Sequence, residues 1–325
     1  MGVKLRAAEV ERNGPVGILK IHPVERMMER SLEPDCDEFI EVHAAIAIGL
    51  EELRFDESVR LIVITGSQDD VFYVAPTRAH YDVERYRRRL EGIIAPEKMA
   101  ESRPSEVRAR YRRTGDYVEQ LLFCEKPIIA RVNGDVIGAG QSVMWGCDLI
   151  VAREDAVICD LHTGMGEVTD RHGTVIGFPW ATTPGDGAMA FAQQNFSSYR
   201  YKEYQYLSQQ LTARELADMH VINYAVPAEE LDATVDAIVR RLLARPQSVL
   251  THIRKLLQKP IIEQWNLQMD LAWAYEHLDF VQHGLMGRFE RGWAPALSGE
   301  IDLGDGAVGR PRAPYTDESG IAERS

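Results

Sequence analysis

The stretch Lys126–Asp148, KPIIARVNGDVIGAGQSVMWGCD, decides the fold. Ile128, Ile129, Ala130 and Val132 form a short apolar run bounded by turn residues, the pattern of a buried strand. Asn133-Gly134 predicts a turn, and Gly138-Ala139-Gly140 predicts a backbone left open for close approach where a helix begins. A strand, a glycine turn and a helix in immediate succession would point the N–H groups near Ala139 at a ligand. Helped by the partial positive charge of a helix N-terminus, those groups suit an oxygen that gains negative charge during reaction. A tight strand-to-helix connection with no ligand fits the same spacing.

Outward from this stretch, Gly17–Ile21, Leu61–Thr65 and Leu149–Ala152 also read as strands, while Cys36–Leu53 and Leu231–Leu243 carry apolar residues at helical spacing. The pattern is α/β. Residues 78–115 interrupt it with a polar, arginine-rich segment, and after Trp293 the chain turns rich in glycine and proline with charges of both signs, as in a tail that lies on a neighbour or stays disordered. With 325 residues the chain can bury a substantial core. Lys+Arg 37 against Asp+Glu 50 gives a net charge of -13, which argues against nucleic acid or an anionic membrane as a partner. No uncharged run reaches the ~20 apolar residues of a membrane span, and Lys4, Arg6 and Glu9 interrupt any signal-peptide core, so a cytoplasmic location is expected. Cys36, Cys124, Cys147 and Cys159 lack paired or C-x-x-C spacing, which predicts buried free thiols in a reducing compartment.

The glycine segment resembles the signature of the crotonase, or enoyl-CoA hydratase/isomerase, superfamily. Ser58–Gly66 (SVRLIVITG) resembles the second-strand motif of that family, Cys147–Ala152 (CDLIVA) its next strand, and Leu211-Thr212-Ala213 with Val221–Val226 (VINYAV) its later "L-T-A … G-L-V-N-x-V" segment. Matches in order from roughly residue 8 to 290 are far more specific than a single glycine motif. The resemblance implies an α/β crotonase-like spiral of repeated ββα units with a helical C-terminal region. It divides the chain into a spiral core over 1–225 containing the variable insertion 78–115, a helical trimerisation region over 226–294, and a tail over 295–325. A homotrimer or a pair of trimers is expected, with Leu256, Leu257, Trp265, Leu267, Leu271 and Trp273 as the apolar contact surface.

The chemistry departs from the hydratases of the superfamily, which carry two glutamates that handle water. Counted against Cys147-Asp148, their positions fall on Ser142 and His162, and a hydroxyl with an imidazole cannot reproduce two carboxylates sharing one water. Val71–Thr77 stands where the family has "F-x-A-G-A-D"; Pro76 has no N–H to give, so either Thr77 or a shifted neighbour completes the oxyanion site beside Ala139, Gly138 and Gly140, or the carbonyl is polarised from one side only. His162, followed by Asp186 in Pro184-Gly185-Asp186-Gly187-Ala188, is similar to the arrangement in oxocamphor hydrolase, a superfamily member that cleaves β-diketones by a retro-Claisen reaction without CoA. Glu276, in Ala274–Leu278 (AYEHL), falls on a further glutamate of that enzyme. The resemblance implies His162 as general base for water, Asp186 as the group that orients it, and Glu276 as a positioning residue. Gly166–Ala181 forms about sixteen extra residues between His162 and Asp186.

Duller readings accompany each residue. His162 fits a satisfied loop histidine and Asp186 a helix N-cap, while elsewhere in the superfamily an aspartate at this place is a nucleophile (haloaryl-CoA dehalogenases) or a proton shuttle (dienoyl-CoA isomerases). Asp160, His162, Glu167, Asp170 and His172 match no metal-ligand spacing, so no metal is expected. The arginines between Arg85 and Arg113 read as a solvated face or as a grip on CoA phosphates. Three functions follow: a C–C hydrolase of a small β-diketone-like substrate needing no cofactor; a hydratase, isomerase or lyase of a CoA thioester with a non-standard acid/base pair; and a non-catalytic protein of the same fold.

Overall fold

The computed structural model describes residues 7–22, 38–73, 116–160, 162 and 182–282. Thr77 and Pro76, the arginine-rich segment, the extra residues before Asp186 and the C-terminal tail lie outside them.

The chain starts with an antiparallel hairpin, β1 (Ala8–Asn13) and β2 (Val16–Ile21), then helix α1 (Glu38–Phe55). After it come β3 (Leu61–Gly66), β4 (Val71–Tyr73), β5 (Ile128–Val132), β6 (Asp135–Ile137), the short helix α2 (Gly140–Trp145), β7 (Leu149–Arg153) and β8 (Val157–Cys159). Each of β3, β5 and β7 is followed within a few residues by a shorter partner, β4, β6 or β8, and the two sets form separate sheets. Helix α3 (Ala188–Ala192), α4 (Ser198–Tyr206), β9 (Leu211–Thr212), α5 (Ala213–Asp218), β10 (Tyr224–Val226), α6 (Leu231–Leu243) and the 36-residue α7 (Gln247–Gln282) complete the order. The six-stranded sheet runs β1-β2-β3-β5-β7-β10, parallel from β2 onward; the four-stranded sheet runs β4-β6-β8-β9. Strand pairs that repeat in this way build the α/β crotonase-type spiral.

The large sheet is covered on both faces, so its strands are apolar without interruption: every residue of β3 is buried. Period-two alternation sends Ile62, Ile64, Ile128 and Ala130 into the main core, and Leu61, Val63, Ile129 and Val151 into a second core closed by Leu231 and Val235 of α6.

Asn133 and Gly134 have a specific task at the corner between the sheets. The Asn133 side chain accepts from the Gly66 N–H at 2.8 Å and the Thr65 hydroxyl at 3.0 Å, and donates to the carbonyls of Val71 and Gln68. A Cβ on Gly134 would overlap the Asp70 backbone. The expected turn is therefore a staple that holds two successive ββ corners together. The expected direct run from turn into helix is corrected: β6 intervenes, because Asp135–Ile137 is needed to extend the small sheet.

Arg254, almost fully buried on α7, donates to Asp148 at 2.7 Å and to the carbonyls of Leu121 and Cys124. It ties the long helix to the corner where α2 leads into β7. Cys124, Cys147 and Cys159 are buried free thiols. Among the described residues, no helix is long and apolar enough to cross a membrane.

Candidate active site

Ala139 enters α2 through Gly138, whose φ of +68° only glycine adopts without strain. Gly140 is required for a different reason: a Cβ there would overlap the carbonyl of Tyr73 at the end of β4. The Gly138 N–H is taken by the Cys159 carbonyl at 3.1 Å, and those of Gln141 and Ser142 bond back to Gly138 and Ala139. Among the described residues the Ala139 N–H has no such backbone acceptor. With only six residues, α2 is too short for a helix macrodipole to be argued there.

The structure brings His162, Asp186 and Glu276 into one cluster, with a correction to the pairing. Asp160, not Asp186, orients the imidazole: His162 Nδ1 lies 2.6 Å from Asp160 Oδ1, which also accepts the His162 backbone N–H at 2.9 Å. The second oxygen of Asp160 accepts from Gln205 Nε2 at 2.9 Å, so a buried Gln205–Asp160–His162 chain fixes the ring and leaves Nε2 for chemistry. Asp160 stands two residues before His162, and that i, i+2 spacing was the available sequence signal. Gln205 gives none, since α4 reaches the site only through tertiary folding.

Asp186 serves two ends. Its Oδ1 accepts from the Ala188 N–H at 3.1 Å, although the N-cap of α3 is Gly187 rather than Asp186, and Ser142 of α2 lies close enough to lower the carboxyl's pKa through a side-chain hydrogen bond. Its backbone carbonyl accepts from the Tyr117 hydroxyl at 2.9 Å. One face of α7 clamps the segment carrying it. Trp273 Nε1 donates to the Gly185 carbonyl, Glu276 Oε2 lies where a Gly185 side chain would be, and Asp279 accepts both the N–H and the hydroxyl of Thr183 at 2.8 Å. Trp273, Glu276 and Asp279 fall at i, i+3 and i+6 along one stripe of α7.

Electrostatics assigns the protons. Burial by itself lowers the pKa of His162, but the charges of Asp160 and Asp186, the Asp160 hydrogen bond and the charge of Glu276 outweigh it and raise the pKa to about 10. Burial pushes the Glu276 carboxyl up to about 7, with the His162 charge opposing and the neighbouring aspartates adding. Burial also raises Asp186 above the usual carboxylate range despite the His162 charge. Asp160 is held below that range, because its contacts with His162 and Gln205 outweigh its desolvation. The surrounding carboxyl groups thus favour the protonated form of His162. A protonated ring has no lone pair with which to take a proton from water, so a general-base role for His162 requires the ring to lose its proton first.

Among the described residues, no group of three or more His, Cys, Asp or Glu is placed to hold a metal ion; Glu167, Asp170 and His172 lie outside them. Comparison with known proteins agrees with the architecture. A 6-oxocyclohex-1-ene-1-carbonyl-CoA hydrolase of Geobacter metallireducens is 29% identical over 130 residues, 40% of this chain; the match spans only 28% of that enzyme. An enoyl-CoA hydratase/isomerase from Mycobacterium paratuberculosis has a similar structure, with a TM-score of 0.66 and 19% identity over 88% of this chain and 98% of that one. A β-diketone hydrolase from the cyanobacterium Anabaena, solved with (S)-3-oxocyclohexyl acetic acid, shares the fold with a TM-score of 0.61 and 18% identity over 85% of this chain and 94% of that one. The enoyl-CoA hydratase/isomerase family model matches residues 96–292, more than half of the chain. The chain is accordingly a member of the enoyl-CoA hydratase/isomerase family, within the crotonase superfamily.

Proposed function

We propose that this crotonase-superfamily enzyme hydrolyses a 1,3-dicarbonyl compound, adding water to one carbonyl and expelling the carbon between the two as an enolate. The observation that carries the reading is the buried His162 cluster. One imidazolium is held 2.6 Å from Asp160 and lies in the field of Asp186 and Glu276, where the hydratases have two glutamates. Such a cluster suits a reaction that needs a base for water and then a cation beside a carbon-centred anion.

In this reading Glu276, poised near neutrality, takes a proton from water while the hydroxide oxygen bonds to the carbonyl carbon. The Ala139 N–H holds the oxyanion. Collapse of the tetrahedral intermediate breaks the C–C bond, and its electron pair passes into the second carbonyl to give an enolate. The His162 imidazolium stabilises that charge. Protonated Glu276 returns its proton to the enolate carbon, and the new carboxylic acid ionises to solvent. Asp160 acts through His162 as a positioning residue.

Two likenesses support the substrate class. One solved relative is a β-diketone hydrolase, and the Geobacter relative is named for a substrate whose ring oxo group sits beside the carbon bearing the thioester carbonyl, itself a 1,3-dicarbonyl arrangement. The second name also favours a variant reading in which the second carbonyl is a CoA thioester, gripped by the arginines between Arg85 and Arg113. Assaying a bicyclic β-diketone, a 2-oxocycloalkane-carbonyl-CoA and crotonyl-CoA side by side decides. Carboxylate release from either of the first two is expected. Turnover of crotonyl-CoA alone would replace the hydrolase reading with a hydratase.

A further inference from the structure

Helix α4 reaches the site with two consecutive side chains. A helix turns by roughly 100° per residue, so neighbours on it meet different partners. Gln205 donates to Asp160 Oδ2 at 2.9 Å, behind His162. Tyr204 donates from its hydroxyl to Gln141 Oε1 at 2.9 Å, and Gln141 stands in α2, two residues after Ala139. The same Gln141 oxygen accepts from Trp145 Nε1 at 3.3 Å, which fixes the orientation of the amide, because an indole N–H can only donate. Tyr204, Gln205, Gln141 and Asp160 are all buried.

Tyr204 is itself held. Its ring stacks on Phe196 with centroids 5.2 Å apart, and Phe196 meets Trp145 edge-on at 5.6 Å. Burial raises the pKa of its phenol, so the hydroxyl remains a donor across the working pH range. A third bond completes the arrangement: the Gly138 N–H donates to the Cys159 carbonyl at 3.1 Å, tying the start of the glycine segment to the residue just before Asp160. Three short pieces of chain, 138–141, 159–160 and 204–205, are thus joined by three hydrogen bonds into a closed circuit. One piece carries Ala139 and another carries the carboxylate that supports His162. A closed circuit of short, buried pieces resists shear, whereas opening one bond leaves them hinged at the other two.

We propose that Tyr204 and Gln205 are positioning residues that act as one brace, setting the spacing between the Ala139 N–H and the His162 imidazole. This rests on those two groups as the working parts of the function proposed above, and not on which carbonyl compound is turned over. Neither residue touches a reacting atom. Their effect comes through placement, where an error of about an ångström costs on the order of 10²-fold in rate.

The test uses the full-length protein and two conservative substitutions. Tyr204→Phe removes the hydroxyl alone and keeps the stacked ring. Gln205→Glu keeps the size of the side chain, and its carboxyl can donate to Asp160 only while protonated. On whichever of the three substrates above the native enzyme turns over, Tyr204→Phe should lower kcat at least about tenfold with a smaller change in KM. Gln205→Glu should keep its activity relative to the native enzyme at low pH and lose it to a similar extent as pH rises, a dependence that a residue merely filling space would not show. Because the two bonds belong to one circuit, the double variant at high pH should lose little more than the worse single variant, whereas independent contacts would multiply their losses. A second readout needs no substrate. The downfield proton NMR signal of His162 Nδ1–H, assigned by its loss in His162→Gln, should move in Tyr204→Phe, although that hydroxyl sits on the opposite side of the circuit. If Gln205→Glu fails to fold, Tyr204→Phe carries both readouts. Native kcat with an unmoved signal in Tyr204→Phe, or losses that multiply in the double variant, overturn the brace. A native enzyme inert toward all three substrates overturns the functional reading instead, and the NMR signal then decides the brace alone.

Discussion

At the residue scale, Glu276 and His162 set the pH window of the reaction. Glu276 must ionise, at about 7, and His162 must keep its proton, to about 10, so kcat/KM should rise and then fall between limbs near those values. The limbs belong to the cluster rather than to single residues. Asp160→Asn removes the nearest negative charge from the imidazolium, so the basic limb should move to lower pH; an unchanged limb would exclude Asp160 as its positioning partner. Stability follows the same groups. Glu276 has a folded pKa above its unfolded value, and the cause is burial of its charged form, so stability falls as pH rises from about 4.5 through about 7. His162 contributes stability that is complete below about 6.5 and lost as pH rises through about 10. Glu276→Gln should therefore lose ~10²–10⁴ in kcat yet gain roughly 3 kcal/mol of stability at pH 8 relative to pH 4, read by urea denaturation at the two pH values.

At the element scale, what matters is how close α7 comes to the loop carrying Asp186. Gly185 has no side chain, and Glu276 Oε2 occupies the space one would fill, so Gly185→Ala must displace the carboxyl from its present position. The expected result is a folded enzyme whose kcat drops at least about tenfold with a smaller change in KM, since misplacement of a reacting group by about an ångström costs on that order or more. Native kinetics in Gly185→Ala would show that Glu276 acts from elsewhere. The corner at Asn133 is structural by comparison. Asn133→Ala orphans the buried Gly66 N–H and frees the carbonyls of Val71 and Gln68, so a loss of about 2–4 kcal/mol is expected from chemical denaturation.

At the scale of the whole molecule, α7 divides its apolar residues between two tasks. Trp265 and Met269 are buried in the main core and Trp273 packs against it, which removes both tryptophans from the surface expected to join subunits. Leu256, Leu257, Leu267 and Leu271 stay 64%, 68%, 77% and 51% exposed, an apolar row that a lone copy of an acidic protein has little reason to keep. We propose that this row is the contact of a trimer or of a pair of trimers. Light scattering should give a mass at least three times that of the chain, and Leu267→Glu with Leu271→Glu should lower it without loss of helical circular dichroism. A monomer in the unsubstituted protein at micromolar concentration would refute the assembly.

The strands at Ile128–Val132, Leu61–Gly66 and Leu149–Arg153 and the helix at Leu231–Leu243 were legible in the sequence, because period and continuity of apolar residues report burial locally, whatever the partner. The glycines around Ala139 were legible for a similar reason, since Gly138 needs a left-handed backbone and Gly140 a close neighbour. His162, Asp186 and Glu276 could be named as candidates from residue type and resemblance. Their roles could not, because a proton's place depends on charges that lie far apart in the chain. Only the folded protein puts Asp160 beside His162, brings Gln205 from α4 and Glu276 from α7, and so raises the pKa of both His162 and Glu276, which is what the proposed division of roles rests on.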